Sequence, residues 1–77
     1  MYGFHTSKET ISNNVRDLRK LMNVTQEELS IKLSVTRQTI IAIEKGSYVP
    51  SVLLALKIAK FFNRPLEEIF KIKKYAK

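Results

Sequence analysis

The sequence predicts an all-α domain, and three observations carry that prediction. Apolar residues recur mainly at spacings of three and four, which is the period of an amphipathic helix. Ser, Thr or Pro stands just before several of these segments, where helices commonly begin. Only two Gly and two Pro occur in 77 residues, so no linker or low-complexity stretch divides the chain. We therefore expect one domain with a single core.

The first helix is predicted at residues 10–22. Thr6 and Glu9 have the spacing of a capping box, and Thr10 or Ser12 would give a later start. One face of this helix would carry four apolar side chains: Ile11, Val15, Leu18 and Met22. We expect that face to pack against the core.

A stronger capping box begins the second helix. Thr25 and Glu28 are three residues apart, which predicts a helix at about residues 26–33. Leu29 and Leu33 would then face inward.

Only Ser34 and Val35 separate that helix from Thr36, the next N-cap residue. A third helix is predicted at residues 37–45, and Gly46 suits the left-handed backbone that often follows a helix. Two helices with so short a connection must cross at a steep angle.

The fourth helix is predicted at residues 52–62, after the Pro50-Ser51 start signal. It is apolar nearly all round, which indicates a central position in the core. Pro65 favours the first position of a short fifth helix, "PLEEIF".

Both ends of the chain alternate in polarity, a weak signal for strands. "FKIKKY" alternates apolar and basic residues, and "YGFHT" alternates Tyr2 and Phe4 with smaller or polar residues. A two-stranded ribbon is marginal alone, so paired ends would be expected to pack on a second subunit. The expected organisation is an N-terminal extension at 1–9, a helical domain at 10–70 and a basic tail at 71–77.

Charge and composition narrow the class of function. Fourteen Lys and Arg against seven acids give a formal charge of +7, which favours a polyanionic partner: nucleic acid first, an anionic membrane second. The most apolar helix resembles a core helix more than a membrane-surface helix. The sequence has no secretory signal, and the apolar run "VLLAL" is too short to cross a bilayer. We expect a cytoplasmic, nucleoid-associated protein with no membrane partner.

Neither an enzyme nor a cofactor protein is expected. No Cys is present, His5 stands alone, and the carboxylates do not cluster, so we predict no metal site. No nucleophile-base pair or phosphate loop appears either.

The third helix begins polar, with Arg37, Gln38 and Thr39, and turns apolar only afterwards. On a helical wheel Ile40 and Ile43 face the core, and the opposite face contains no acid. A helix fits the DNA major groove, where Arg can bind guanine and Gln can bind adenine through two hydrogen bonds. This first turn is therefore a candidate base reader.

These features resemble the helix-turn-helix domain of the Xre/Cro-type phage-repressor family. The resemblance spans residues 18–70 and includes "TQEEL", "VTRQTI", "IEKG", "PS", "ALKIA" and "LEEIF" at the family's offsets. It implies a five-helix phage-repressor-like fold, with the third helix in the major groove and the second lying across the DNA backbone.

The resemblance also implies roles for individual residues. The base-reading positions are Arg37, Gln38, Thr39 and Ala42. The phosphate-binding positions are Arg19, Gln26, Thr36, Lys45, Ser47 and Tyr48. Gln26 would also brace the first turn of the third helix, and Arg19 would form a partly buried ion pair with Glu44. The expected dimer surface is Leu66, Ile69, Phe70 and Ile72, to which Tyr2 and Phe4 are candidate additions.

Three departures from the family pattern carry structural consequences. Ser34 replaces the usual Gly, where a left-handed backbone would cost roughly 1 kcal/mol. Ser30 replaces an Ala where two helices approach closely. Ile31 and Ile41 occupy commonly polar positions, and each could be solvent-exposed, covered by the N-terminal extension or part of a partner surface.

The sequence therefore predicts a homodimeric, sequence-specific transcriptional regulator, most simply a repressor, bound to a palindromic double-stranded DNA operator. Two alternatives share this chemistry. One is an antitoxin that also binds a protein partner, and the other is a controller of a restriction-modification operon.

Overall fold

A computed structural model of the protein describes residues 9–74. Two strands and five helices follow in the order β1 (Glu9–Asn13), α1 (Val15–Leu21), α2 (Gln26–Leu33), α3 (Arg37–Lys45), α4 (Val52–Phe62), α5 (Leu66–Ile69) and β2 (Phe70–Lys74). The predicted five-helix fold with short terminal strands is confirmed. Tyr2 and Phe4 lie outside the described residues.

Side-chain caps fix where the middle helices begin. The capping box predicted for α2 is present, since the Thr25 hydroxyl accepts from the Glu28 amide at 3.0 Å and the Glu28 carboxylate accepts from the Thr25 amide at 2.8 Å. Thr36 and Ser51 cap α3 and α4 with their hydroxyls alone, each of which accepts a hydrogen bond from the backbone amide three residues later. These caps satisfy amide groups that a helix start leaves without a partner.

One core cluster lies between the five helices. Its fully buried side chains come from α1 to α5: Val15, Leu29, Ile40, Ile43, Ile58 and Ile69. The inward faces predicted for α2 and α3 are confirmed, because Leu29, Leu33, Ile40 and Ile43 are all buried. Burial of such side chains is the main source of folding free energy, and it holds α3 rigidly on the domain.

The turn between α2 and α3 has the left-handed backbone expected where the family carries Gly. Ser34 has a φ of 59° and ψ of 44°. The turn is closed by a hydrogen bond from the Val35 amide to the Ser30 carbonyl, and Lys57 of α4 donates to the Leu33 carbonyl at 2.7 Å. The fold therefore holds Ser34 in a conformation that costs an L-residue about 1–2 kcal/mol.

The prediction for the start of the first helix was wrong. Residues 9–13 form β1, which pairs antiparallel with β2 in a register from Glu9 opposite Lys74 to Asn13 opposite Phe70. The helix begins at Val15, so Glu9 takes no part in a helix cap, and Met22 is 48% exposed. Residues 10–13 fit a strand as well as a helix, and pairing with the distant β2 decided between them.

The base of the β1–β2 ribbon is hydrogen-bonded to its own subunit. Asn13 donates to the Ile43 carbonyl of α3 at 3.0 Å, and its side-chain oxygen accepts from the Val15 amide at 3.0 Å. The Asn14 amide donates to the Ile69 carbonyl at 3.2 Å. These bonds join the base of the ribbon to α1, α3 and α5.

Candidate nucleic-acid interface

The first turn of α3 projects polar side chains from the domain. Arg37 and Gln38 are exposed, whereas Thr39 is half-buried. The Thr36 and Thr39 hydroxyls are 3.0 Å apart, and Thr36 also accepts from the Thr39 amide at 3.1 Å. The cap therefore fixes the backbone from which Arg37 and Gln38 extend.

An ion pair joins α1 to α3, as the resemblance implied. Arg19 Nε lies 2.6 Å from Glu44 Oε2, Arg19 Nη2 lies 3.2 Å from Glu44 Oε1, and the two side chains are 11% and 5% exposed. Arg19 Nη1 also donates to the Val24 carbonyl at 2.9 Å. All three guanidinium nitrogens thus have acceptors inside the protein, which makes Arg19 first a structural residue.

Gln26 braces the last turn of α3, where the resemblance implied the first turn. Its amide nitrogen donates to Glu44 Oε1 at 3.1 Å. Glu44 therefore receives hydrogen bonds from both α1 and α2, and one buried carboxylate fixes three helices relative to one another.

A basic groove of about 630 Å³ lies between α1, α2 and α3. Its exposed cationic residues are Arg16, Lys20, Arg37 and Lys45. Of the two acids that line it, Glu44 is paired with Arg19, which leaves Glu27 as the other. The groove therefore carries net positive charge and suits an anionic ligand.

Sequence reasoning missed Arg16 and Lys20 as part of this surface. They are four residues apart on α1, so they share one face of that helix. The spacing predicts that Arg16 and Lys20 share one helix face. It does not predict that this face lies beside α3, which is what makes it a candidate DNA contact.

The loop after α3 presents the remaining predicted phosphate contacts. Gly46 ends the helix with a φ of 82°, and the Ser47 amide donates to the Ala42 carbonyl at 3.0 Å. Lys45, Ser47 and Tyr48 are exposed, whereas Ala42 is half-buried. The loop is therefore accessible and has a fixed start.

The two isoleucines at commonly polar positions occupy different environments. Ile31 is 68% exposed on α2, whereas Ile41 is half-buried and lines the basic groove. Ile41 is thus placed to contact whatever fills that groove.

The predicted dimer residues divide by accessibility. Ile69 is 1% exposed and belongs to the core, so its side chain is not available to a second subunit. Leu66 and Phe70 are partly buried against the same core, whereas Ile72 is 71% exposed. Only Ile72 of these four side chains is fully presented to solvent.

Comparison with known proteins places this geometry in a family. The helix-turn-helix family model matches residues 15–69, which run from the start of α1 to the end of α5. The chain belongs to the helix-turn-helix family. The match includes the α2–α3 pair and excludes the ribbon of β1 and β2.

Relatives of this family member are named as regulators. The chain is 58% identical over 60 residues to an uncharacterized HTH-type transcriptional regulator of Methanocaldococcus jannaschii, covering 78% of this chain and 91% of the relative. It is 36% identical over 58 residues to the cryptic phage CTXphi transcriptional repressor RstR of Vibrio cholerae, covering 75% of this chain and 52% of the repressor.

A solved structure with a similar fold is the restriction-modification controller protein C.AhdI from Aeromonas hydrophila. The two chains are 26% identical with a TM-score of 0.65, over 70% of this chain and 82% of the controller.

Within residues 9–74, no helix has both the length and the apolar character needed to span a membrane.

Proposed function

We propose that this helix-turn-helix protein is a sequence-specific DNA-binding transcriptional regulator that represses by occupying promoter DNA. The observation that carries the proposal is the exposed polar start of α3, fixed to the domain by the Thr36 cap and the Glu44 network. A rigid reader loses little conformational entropy when it binds.

Base reading is assigned to the first turn of α3 and the residue one turn later. Arg37 and Gln38 carry the groups that can bind guanine and adenine bidentately, each such contact contributing about 1–3 kcal/mol of discrimination. Thr39 and Ala42, both half-buried, would contact bases at closer range, with the Ala42 methyl suited to a thymine methyl.

Backbone contacts are assigned to the groove and the α3–α4 loop. Arg16, Lys20 and Lys45 would bind phosphates from the basic groove, and Ser47 and Tyr48 would do so from the loop. Gln26 and Thr36 contribute at the helix starts, and Arg19 contributes mainly by holding Glu44. Such contacts set position and affinity without sequence information.

The regulator would act as a homodimer, whose two-fold symmetry calls for a palindromic operator with half-site centres about 34–36 Å apart. We assign the centre of its surface to Ile72 and Val49, which are 71% and 54% exposed. Both border one shallow depression with the half-buried Ile11. Leu66 and Phe70, which are partly buried against the core, remain candidate additions to this surface.

Two relatives bear on the choice among kinds of regulator. Similarity to a phage repressor supports repression, and similarity to a restriction-modification controller keeps that role as the second candidate. An antitoxin role would require a protein partner, which would co-purify in stoichiometric amount.

Selection of bound duplexes from a random DNA pool tests the proposal directly. The wild-type protein should enrich a palindromic sequence. Arg37→Ala should lose preference at one base pair of each half-site, whereas Lys45→Ala should weaken all duplexes about equally. Lys60→Ala, which removes an exposed cation from the last turn of α4, is the charge control and should change neither property.

The outcomes that oppose the proposal are equally specific. If the wild-type protein ignored duplex DNA at low salt, DNA binding would be wrong. If Arg37→Ala kept both the specific affinity and the base preference of the wild type, the assignment of α3 as reader would be wrong.

A further inference from the structure

The β1–β2 ribbon has two chemically different faces. Successive residues of a strand point to opposite sides, so the register determines each face. One side carries the pairs Thr10–Lys73 and Ser12–Lys71, and we call these four residues the polar ribbon face. The other side carries the pairs Ile11–Ile72 and Glu9–Lys74.

The polar ribbon face is held in a fixed position beside the end of α3. Asn13, the last residue of β1, donates to the Ile43 carbonyl in the last turn of α3. Its side-chain oxygen also accepts from the Val15 amide at the start of α1. A free two-stranded ribbon is marginally stable, but these bonds tie this one to the packed domain.

A cleft of about 280 Å³ separates the ribbon from α3. All of β1 from Thr10 to Asn13 and Lys73 of β2 line it from the ribbon, and Lys45 and Gly46 line it from the end of α3. Its polar ribbon side chains are Thr10, Ser12 and Lys73, and Ile11 is its apolar member. Glu44 also borders the cleft, but its carboxylate is bound by Arg19 and Gln26. The lining charges without such a partner are therefore two lysines.

The chemistry of this cleft matches a phosphate backbone. Lys side chains and Ser or Thr hydroxyls are regular donors to DNA phosphates. Lys71, opposite Ser12, lies on the same face and lines a second depression with Ser12 and the exposed Glu68. The polar ribbon face and Lys45 together supply three lysines and two hydroxyls. Lys71 and Lys73 are two residues apart on one side of β2, so they can bind separate phosphates of one DNA backbone.

We propose that the polar ribbon face is a second DNA-backbone surface, which extends the phosphate contacts of the α3–α4 loop beyond the helix-turn-helix unit. The inference rests on the proposed function, because it assumes that α3 lies on DNA. The ribbon adds affinity and carries no base preference. Its opposite face stays available to a second subunit.

The test compares neighbouring lysines on opposite faces of β2. The Lys71→Ala/Lys73→Ala double variant should bind a duplex of random sequence more weakly. The slope of log affinity against log salt should fall in magnitude by about 2 for each bound subunit, near 0.9 per lost phosphate contact. The same loss should appear on the selected operator, with base preference unchanged. Lys74→Ala, which removes one charge from the other face, should leave the slope within about 0.3 of wild type.

Each outcome decides one question. If the wild-type protein binds duplexes and the double variant keeps the wild-type slope, the ribbon inference is overturned while the proposed function stands. The single variant Lys73→Ala is measured beside Lys74→Ala. If both lower the slope equally, the effect reflects the net charge of the protein rather than the polar ribbon face, and the inference also falls. If wild type binds no duplex, the proposed function fails first. Each variant should keep the thermal unfolding midpoint of the wild type, which shows that a change in slope reflects DNA binding and not loss of structure.

Discussion

Arg19 of α1 and Glu44 of α3 form a nearly buried ion pair with a closest nitrogen-oxygen distance of 2.6 Å. Gln26 of α2 donates to the same carboxylate at 3.1 Å. Glu44 is one turn beyond the buried Ile40 and directly follows the buried Ile43, so the polar network and the apolar core fix α3 together. The orientation of the proposed reader depends on both.

Glu44→Ala should destabilise the domain strongly. Loss of the carboxylate leaves the Arg19 guanidinium, in a side chain only 11% exposed, without its counter-ion. Breaking a buried pair by removing one partner commonly costs about 3–5 kcal/mol. Chemical denaturation should show this as a fall in the free energy of unfolding.

The control for that experiment is Glu68→Ala. Glu68 pairs with Arg64 at 3.7 Å, and their side chains are 58% and 49% exposed. A solvent-exposed pair contributes at most about 1 kcal/mol, so this variant should stay close to wild type. Equal losses in the two variants would contradict the assignment of Glu44 as a structural centre.

Ser34→Gly should stabilise the turn between α2 and α3. Ser34 has a φ of 59°, where the backbone strain of an L-residue costs about 1–2 kcal/mol, and Gly removes that strain. Gly also raises the entropy of the unfolded chain, which lowers stability by about 0.4–1 kcal/mol. The expected net gain is about 0.5–1 kcal/mol in the free energy of unfolding. Asn63 has a φ of 56°, but Asn tolerates this backbone better, so Asn63→Gly should gain less or nothing. A larger gain at Asn63 than at Ser34 would count against strain at the turn.

Local signals in the sequence predicted the middle of the domain well. The Thr25–Glu28 capping box, the Thr36 cap and Gly46 gave the bounds of α2 and α3 because each acts within one helical turn. The Arg19–Glu44 pair was implied by the family resemblance, since no local rule connects residues 25 apart. The base-reading assignments remain predictions.

Residues near the ends of the domain could not be predicted in this way. Ile11 and Val15 are four apart and fit a helix, yet Ile11 also alternates with Thr10 and Ser12 as in a strand. The strand forms because β2, about 60 residues away, supplies the backbone hydrogen-bond partners of β1. The placement of Ile69 in the core has a similar cause, because a short amphipathic helix looks the same whether it faces its own domain or a second subunit.

Asn13→Ala should release the ribbon from the domain. The substitution removes the bond to the Ile43 carbonyl and leaves the amide of the fully buried Val15 without its acceptor. We expect a loss of about 1–3 kcal/mol in the free energy of unfolding, together with faster amide hydrogen exchange in β1. Ser12→Ala alters the neighbouring position on the polar ribbon face and should change stability by less than about 0.5 kcal/mol. Slow exchange retained in the Asn13→Ala ribbon would show that Asn13 is not its anchor.

Ile72→Lys should convert the proposed homodimer to monomers. Ile72 is 71% exposed in one subunit, and a two-fold interface would bury it twice. Burial of one such side chain contributes about 1.5–3 kcal/mol, so its replacement by a charge should raise the dimer dissociation constant at least tenfold and weaken binding to a palindrome more than binding to a single half-site. Sedimentation of the wild-type and Ile72→Lys proteins over a concentration series measures the first effect, and titration with the two duplexes measures the second.

Leu21→Lys is the matched control, because Leu21 is 77% exposed at the end of α1 that lies away from the ribbon. A dimer that survived Ile72→Lys as well as it survived Leu21→Lys would place the subunit contact elsewhere, and the exposed apolar side chains at the start of α4, Val52, Leu53 and Leu56, would be the next surface to test.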